Sequence, residues 1–310
     1  MKNGRNIELS NRMETIQLLN NPIRTRIEEV ISAYRKREWK IRSTTDMTEF
    51  ACHHCAILSD DSFAVFAKYS EAKDASKQFE IEIAGLKYLS KNAGVSIPEP
   101  IDIIQVESGT LFIMKALKAI KRSPLAWRQI GKTLARIHKI KSDSFGFPKN
   151  GFAGPLFQDN TLTKDWSTFY QERRLCPRLK IATNSGNLPS SIASQVEKLI
   201  QRVPELCNSD ITPTLLHGDA QQNNFISTEE GTFAIDPAVY FGNSEIDLAL
   251  IDCWQTVPDD VLEGYNEELP IDPDFGERRN LWRISMYLAA VAIEGPLHLN
   301  RLKNALQGYL

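Results

Sequence analysis

The spacing of apolar residues in the first part of the chain predicts one helix followed by short strands. Between positions 22 and 34, apolar side chains recur at helical intervals, and Pro22 suits a first helical turn. The pattern then changes to short apolar stretches that are typical of strands, with a polar turn at 59–62. These predicted strands span 39–43, 50–58 and 63–69. The sequence therefore predicts an antiparallel arrangement that begins after the first helix.

A second helix and a second pair of strands follow before helices become dominant. The helix is predicted over 75–89, where apolar residues stand at 79, 83, 86 and 89. Two more strands are predicted over 101–105 and 111–116, around a turn at 107–109. The later helices are predicted over 124–140, 164–175, 190–203, 245–256 and 277–293. A small antiparallel sheet with one main helix, followed by a mostly helical region, predicts an α+β protein.

The stretch 214–236 contains the residues that point most directly to a chemistry. The motif His-Gly-Asp at 217–219 is followed by Asn224, and a predicted hairpin separates Asn224 from Asp236. Phosphoryl transfer needs a carboxylate that orients the attacking hydroxyl and oxygen ligands for the magnesium that bridges the phosphates. Asp219 suits the first task as the catalytic residue, and Asn224 and Asp236 suit the second. Capping and turn residues of these types are common singly, but the ordered set favours a kinase-like phosphotransferase.

Lys68, at the end of the third predicted strand, is the candidate for binding the α and β phosphates of ATP. A lysine in this role needs a carboxylate to hold it, and the predicted helix 75–89 offers both Glu80 and Glu82. A lysine that faces solvent from an edge strand is the alternative interpretation. The downstream His-Gly-Asp motif favours the phosphate role.

A charged connector over 118–123 leads out of the second strand pair. In a two-lobe kinase the segment that joins the lobes is the hinge, and its backbone groups bind the adenine edge. The hinge position therefore assigns ATP binding to Lys115 and Leu117, which lead into the connector. The predicted fold class is thus a bilobal, protein-kinase-like α+β fold with a small antiparallel-sheet lobe and a larger, mostly helical lobe. The predicted domains are an N-terminal helical extension (1–38), a nucleotide-binding lobe (39–117), and a lobe for the catalytic loop, metal and acceptor (118–310).

Length, charge and composition argue against several other classes of protein. The chain has 310 residues, enough for two lobes with their own cores, and a net charge of −2, which argues against nucleic acid as a partner. No apolar run has the length of a membrane span, and the first residues lack the apolar core of a signal peptide. The five scattered cysteines do not indicate a disulfide framework. We therefore expect a cytoplasmic protein with a small-molecule acceptor, and the sequence leaves its oligomeric state open.

Three further segments carry a family resemblance. They are FEIEIAGL at 79–86, the glycine-containing segment with DWSTF and RRL at 145–179, and DPAVYFGNSEIDLA at 236–249. With the His-Gly-Asp motif, they resemble the fructosamine kinase (ketosamine-3-kinase) family of the aminoglycoside phosphotransferase superfamily. The resemblance implies a two-lobe kinase fold, ATP, Mg²⁺, and transfer to a sugar hydroxyl of an amine-bearing acceptor. It also implies Glu82 as the partner of Lys68, and Asp247 as a support of the catalytic-loop backbone beside His217.

Three features depart from the pattern of that family. The loop expected over the phosphates, 46–55, contains no glycine, although close backbone approach to phosphate favours glycine. Ala220 and Gln221 stand where the family has Leu-Trp, which makes Gln221 the candidate acceptor-binding residue. Ala290 and Ala292 stand where a histidine and an asparagine face the acceptor. The phosphate chemistry therefore matches the family more closely than the acceptor end does.

Two other clusters of polar residues invite a functional interpretation. The four residues of Cys52-His-His-Cys55 are zinc-ligand types, but neighbours on a strand point to opposite faces, so incidental strand residues are the favoured interpretation. A redox role for a thiol in this loop is the alternative. The acidic residues of 259–274 predict either attraction of a cationic acceptor or a solvated helix face. His138 is interpreted as a core or capping residue.

Three functional hypotheses follow. The first is a ketosamine kinase, and the second is a kinase for an aminoglycoside or another amino sugar. The third is a nucleotide-binding pseudokinase, which the glycine-free loop suggests. The complete set of Lys68, Glu82, Asp219, Asn224 and Asp236 argues against the third, because a chain without catalysis has no chemical need for all five.

Overall fold

The computed structural model describes residues 21–48, 53–106, 109–207 and 211–309. The chain divides into two compact units. Of the described residues, the first unit contains those up to Ala84 together with those of Ile97–Ile120, and the second contains Gly85–Ser96 and those from Lys121 onward. Cys52, most of the 107–109 turn and the first twenty residues of the expected N-terminal extension lie outside the described residues.

A five-stranded antiparallel sheet in the order β1-β2-β3-β5-β4 forms the centre of the first unit. The elements in chain order are α1 (Asn21–Arg35), β1 (Ser43–Asp46), β2 (His54–Ser59), β3 (Ala64–Ser70), α2 (Ala75–Ala93), β4 (Pro100–Val106) and β5 (Gly109–Lys115). Apolar residues of α1, among them Ile27, pack with Leu111 and Ile113 of β5. Phe79 of α2 packs instead with Phe112. Since neighbouring strand residues point to opposite faces, α1 and α2 cover opposite faces of the sheet.

Helices and three short strand pairs make up most of the second unit. Its elements are α3 (Pro124–His138), β6 (Gly151–Ala153), β7 (Leu156–Gln158), α4 (Trp166–Tyr170), a π-helical stretch (Gln171–Leu175), α5 (Cys176–Asn184), α6 (Ser190–Leu206), β8 (Thr214–Leu216), β9 (Phe225–Thr228), β10 (Gly231–Ala234), β11 (Tyr240–Gly242), α7 (Glu245–Leu250), α8 (Asp260–Asn266), α9 (Phe275–Glu294) and α10 (Leu299–Leu306). Strand β8 pairs with β11, and β9 pairs with β10. These two pairs frame the loop that contains the His-Gly-Asp motif.

The core of the second unit is rich in aromatic side chains. Trp166 and Tyr170 of α4 stack on each other at 5.6 Å between ring centroids, and both contact Trp282 of α9 edge-on. The Tyr170 hydroxyl, which is fully buried, donates to the carbonyl oxygen of Leu281. Buried aromatic groups contribute large apolar areas and usually keep a partner for each polar atom. This cluster fixes α4, and with it the following helical turns, against α9.

Some predicted boundaries were wrong, and the reasons are local. The strand predicted over 39–43 begins only at Ser43, because the backbone N–H groups of Trp39 and Ile41 donate to the side chains of Ser32 and Glu28 on α1. These contacts tie the connection to the helix and leave no ladder for a strand partner.

The remaining errors concern helix ends and short elements. The helix predicted over 245–256 ends at Leu250, and buried Ile251 continues in a turn. The helix predicted over 164–175 runs on as α5, because Pro177 stands in the first turn of α5, where proline is tolerated. The β6–β7 hairpin and the helix α10 were not predicted, and α8 was expected only as one alternative for the acidic segment 259–274. Short elements give few periods from which a pattern emerges.

Candidate active site

Lys68 and Glu82 form a buried ion pair in the first unit. Lys68 lies on β3, with Cys55 of β2 and Phe112 of β5 as its ladder neighbours, and only 3% of its surface is exposed. Its Nζ donates to Oε1 of Glu82 on α2 at 2.7 Å. The other candidate, Glu80, accepts from the Ser76 hydroxyl instead. The geometry therefore selects Glu82 as the partner and excludes an exposed edge-strand lysine.

The segment after β5 was predicted to bind adenine through its backbone. The N–H of Lys115 donates to the carbonyl oxygen of Glu99 at 2.9 Å, and the N–H of Ala116 donates to Ala64 at 3.0 Å. These two donors are occupied within the sheet. Leu117 lies one residue further, half-buried and outside any helix or strand. Of the two predicted hinge residues, Lys115 has its N–H bonded within the sheet, whereas the N–H of Leu117 has no backbone partner in the part of the chain that the structure describes.

In the second unit, hydrogen bonds join the residues predicted for catalysis and metal binding. The Asn224 amide nitrogen donates both to the backbone oxygen of Asp219, at 2.7 Å, and to its Oδ2 atom, at 3.0 Å. The backbone oxygen of Asn224 accepts from the N–H of Ile235, which brings Asp236 back beside the loop. Asp236 has a left-handed backbone conformation with φ +54°. Such a conformation is uncommon for residues other than glycine and is often found at functional sites.

The charges of this group act on one another. Burial raises the pKa of Asp219, and the negative charge of Asp236 raises it further. His217 and the hydrogen bonds from Gln221 and Asn224 oppose that rise. The two carboxylates are therefore close enough to repel, and a cation held near them would relieve the repulsion. Carboxylate and amide oxygens are the ligands that Mg²⁺ prefers, so the donor set fits this metal.

Asp247, on α7, holds the backbone of the His-Gly-Asp motif. Its Oδ2 accepts from the N–H of His217 at 2.7 Å, and its Oδ1 accepts from the N–H of Gly218 at 3.0 Å. The carboxylate is fully buried and also contacts Nε2 of His138 at 3.2 Å. His138 in turn contacts the Tyr265 hydroxyl through Nδ1. His138 is thus a buried, hydrogen-bonded histidine that supports the loop from behind.

Two residues of the motif, His217 and Gly218, restrict the shape of the loop. The Nε2 atom of His217 lies 3.0 Å from the carbonyl oxygen of Ile235, so this side chain is engaged within the loop. Gly218 has φ +82°, and a side chain there would overlap the carbonyl group of Ala238. Glycine is the residue that adopts this conformation without strain. The motif therefore requires its glycine for packing as well as for backbone geometry.

Gln221, the predicted acceptor-binding residue, lies against the predicted base. Its amide nitrogen is 3.2 Å from Oδ2 and 3.4 Å from Oδ1 of Asp219. Its neighbour Ala220 is fully buried. An acceptor hydroxyl that bonds to Asp219 would meet the Gln221 amide at the same carboxylate.

Arg122 is a residue of the site that the sequence did not single out. Its Nη2 donates to the carbonyl oxygens of Gln222 and Phe225, at 2.9 and 2.7 Å, on either side of Asn224. Burial lowers the pKa of Arg122. The only sequence signal was its position in the charged connector 118–123, and the hundred residues between the partners hide the contact.

The acidic segment 259–274 is largely neutralised by basic residues. Glu263 and Glu267 of this segment pair with Arg128 on α3, and Glu268 pairs with Lys139. These contacts favour a solvated, ion-paired face over a field that attracts a cationic acceptor. Within the described ranges no group of three or more histidine, cysteine or acidic residues forms a metal cluster, and Cys55 is buried in β2. No helix in the described ranges is both long and apolar enough to cross a membrane.

Solved structures share this fold. A crystal structure from Haemophilus somnus that carries the fructosamine-3-kinase name superimposes with a TM-score of 0.80 at 20% identity, over 92% of this chain and 97% of that chain. A thermostable mutant of the aminoglycoside phosphotransferase APH(4)-Ia, solved with AMP-PNP and hygromycin B, gives a TM-score of 0.61 at 13% identity, over 91% and 98%. At these identities the likeness is one of fold. The fold is that of the protein-kinase-like class, which confirms the predicted α+β fold class.

Sequence comparison then identifies the family. Residues 23–310 match the profile of the family described as fructosamine kinase, and the chain therefore belongs to the fructosamine kinase family. A Pasteurella multocida protein described as a probable ketoamine kinase is 29% identical over 235 residues, which cover 75% of this chain and 80% of that protein. Mouse ketosamine-3-kinase is 27% identical over 257 residues, which cover 74% and 82%. The resemblance inferred from the motifs is confirmed.

Proposed function

We propose that this protein transfers the γ-phosphate of ATP to a sugar hydroxyl of a ketoamine in a Mg²⁺-dependent reaction. The observation that carries the proposal is the hydrogen-bonded group of Asp219 and Asn224, with Asp236 beside it. Family membership supports the phosphotransfer, and the name of the mouse relative supports a ketosamine as acceptor. The scattered cysteines, which do not indicate a disulfide framework, keep a cytoplasmic location as part of this proposal.

The phosphate end of the reaction has two sets of residues. Lys68, held by Glu82 at 2.7 Å, is assigned to the α and β phosphates of ATP, and the Leu117 backbone to the adenine edge. Asn224 and Asp236 are assigned as the ligands of Mg²⁺. When bound, this ion neutralises negative charge that develops on the transferring phosphoryl group. The ion pair with Glu82 fixes the lysine side chain and so removes part of the entropy that binding would otherwise cost.

Asp219 is assigned to the acceptor. Its carboxylate orients the attacking hydroxyl and accepts its proton as the bond to phosphorus forms. Asn224 holds the same carboxylate at 3.0 Å, and Gln221 lies within 3.4 Å of both of its oxygens. A base held by two amides has few orientations, which favours in-line attack on the γ-phosphate.

The first experiment measures ATP consumption with Mg²⁺ and four conditions: a fructosyl-amino acid, a ribulosyl amine, an aminoglycoside and no acceptor. Turnover stimulated by the ketoamines alone is the expected result. Stimulation by the aminoglycoside alone would assign the chain to a sister specificity. No turnover, with ATP still raising the melting temperature, would contradict the proposal and favour a pseudokinase.

The catalytic assignment is tested with Asp219→Asn, which keeps the shape of the side chain and removes its basicity. Turnover should fall by about 10²–10⁴-fold, as is typical for loss of a general base. Asp259→Asn is the matched control, because Asp259 is exposed and its side chain makes no capping hydrogen bond to α8. Equal activity of both variants would overturn the role of Asp219.

A further inference from the structure

Two arginines of the second unit are buried on consecutive helical turns. Arg174 lies in the π-helical stretch and is 4% exposed, and Arg178 lies four residues later in α5 and is 7% exposed. Arginine is almost never buried to this extent unless its charge is paired. The two side chains therefore need a partner that explains their burial.

Arg174 has hydrogen-bond partners, but they are neutral. Its guanidinium donates to the backbone oxygen of Asp159 at 2.7 Å and to Oδ1 of Asn160 at 2.8 Å. It also lies 4.1 Å from the ring centroid of Tyr240. The Asp159 carboxylate forms its ion pair with Arg173 instead. The charge of Arg174 is thus oriented without being neutralised by a contacting carboxylate.

The hydrogen bonding of the Arg178 guanidinium is incomplete. Its Nη1 is buried and has no hydrogen-bond partner among the described residues. Burial, and then repulsion by Arg174, lowers the pKa of Arg178 to about 10, so the side chain still carries its charge at neutral pH. Asp219 attracts this charge but forms no ion pair with it within 4.0 Å. A buried, unpaired charge is costly unless a ligand supplies the counter-charge.

On the basis of the proposed function, we infer that Arg178, with the charge of Arg174 beside it, binds the carboxylate of an acceptor derived from an amino acid. The phosphate charges are already assigned to Lys68 and to the cation at Asn224 and Asp236. Asp219, which attracts the charge of Arg178, is assigned to the acceptor hydroxyl, and we therefore assign Arg178 to an anionic group of the same acceptor. The guanidinium fork suits a carboxylate in geometry as well as in charge.

The chemistry of a ketoamine fits a site in which Arg178 lies beyond ion-pair distance of Asp219. In a fructosyl-amino acid the sugar hydroxyls and the amino-acid carboxylate are joined by a short run of bonds. One hydroxyl can therefore lie at Asp219 while the carboxylate lies at Arg178, beyond ion-pair distance of Asp219. The site then selects ketoamines of free amino acids over those of simple amines, and that selectivity comes from α5.

A binding experiment tests the subsite without relying on turnover. The melting temperature is measured while fructosylglycine, its amide fructosylglycinamide (which keeps the amine but lacks the carboxylate), or inorganic phosphate is added. Fructosylglycine should stabilise the wild type more than the amide does, and Arg178→Met should remove that difference. Equal stabilisation by acid and amide would overturn the inference. Stabilisation by phosphate alone, lost in Arg178→Met, would assign the arginine to phosphate and also overturn it.

A kinetic experiment uses the same two acceptors. The ratio of kcat/KM for the acid over the amide should be about 10- to 100-fold in the wild type, the usual range for a charge-assisted hydrogen bond, and about one in Arg178→Met. The control is Lys180→Met, which removes a positive charge from the exposed side of the same helix and should keep the ratio. A ratio that survives in Arg178→Met would contradict the inference.

The two proposals fail in different ways. If both acceptors are phosphorylated equally well, the kinase function stands and the carboxylate subsite is wrong. If neither is phosphorylated but the acid still stabilises the protein through Arg178, the subsite stands and the proposed reaction is wrong. Arg178→Met should also raise the melting temperature by a few degrees, because it removes an unpaired buried charge, so loss of binding will not reflect unfolding.

Discussion

The Oδ2 atom of Asp247 accepts a hydrogen bond of 2.7 Å from the backbone N–H of His217. Its Oδ1 atom accepts from the next N–H, that of Gly218, so both oxygens of one buried carboxylate hold the turn that leads into Asp219. Hydrogen bonds from backbone N–H groups to a carboxylate are stronger than those between neutral groups. The position of Asp219 therefore depends on a side chain that is 28 residues further along the chain.

Asp247→Asn should destabilise the protein by about 3 kcal/mol, because an amide cannot accept at both positions and its NH₂ group would face a buried N–H. Turnover should fall as well, since the loop is no longer held. Thermal or urea unfolding measures the first effect, and steady-state kinetics at a temperature where the variant is folded measures the second. A loss below about 0.5 kcal/mol would contradict the supporting role.

Lys68→Met and Glu82→Gln should each lower kcat/KM for ATP, by about 10²-fold for the lysine. The double variant should lose little more than Lys68→Met alone, because Glu82 is assigned to act through the lysine. Initial rates at varied ATP concentration measure these effects. Glu80→Gln, from the same helix, should behave like the wild type because Glu80 accepts from Ser76. If the loss of kcat/KM in the double variant were the sum, in free energy, of the losses in the two single variants, this assignment would be wrong.

Gly218→Ala should lower the melting temperature and abolish most of the activity. The added side chain would overlap the carbonyl group of Ala238, and the φ of +82° costs about 1–2 kcal/mol for a residue with a side chain. Gly276→Ala is the matched change, because a side chain there meets open space at the start of α9. The control should be neutral or slightly stabilising, and equal melting temperatures for the two variants would refute the steric argument.

The pH dependence of stability should contain a contribution from Glu28. Burial alone would raise the pKa of this carboxyl, but hydrogen bonds from Lys40, the N–H of Ile41 and Arg24 outweigh it, and its pKa lies below the ordinary 4.5. A carboxyl with a lowered pKa in the folded state stabilises the protein above its unfolded pKa. That stabilisation disappears as the pH falls through the folded pKa.

Glu28→Gln should therefore cost about 1–2 kcal/mol at neutral pH, and the difference from the wild type should shrink as the pH falls below 4.5. Urea unfolding of both proteins between pH 7 and 3 provides the measurement. Glu29→Gln is the control, because Glu29 is exposed and pairs only at the surface with Arg26, at 3.1 Å. A Glu28→Gln difference that is constant with pH would rule out the linkage.

Much of the first unit followed from local patterns. The apolar run around Phe112 predicted β5 within one residue at its end, and the helix that begins at Ala75 was placed at its observed start. The helix contains several turns of a regular apolar pattern, and the strand is a short continuous apolar run next to a turn, which is typical of a buried strand. The full length of the helical region 164–184 could not be predicted in this way. A π-helical stretch joins its two helices, and Pro177 resembles a signal that ends a helix.

The sequence by itself determined the chemical groups: the order of Asp219, Asn224 and Asp236 follows from a motif and a hairpin, which are local in the chain. The tertiary structure decided which distant groups act on them. It selected Glu82 over Glu80 at Lys68 and brought Arg122 to the carbonyl oxygens around Asn224. It also buried Arg178 without a partner for its Nη1 among the described residues. Burial and long-range hydrogen bonds depend on how whole elements pack, and an arginine carries no local signal that distinguishes a surface position from a buried one.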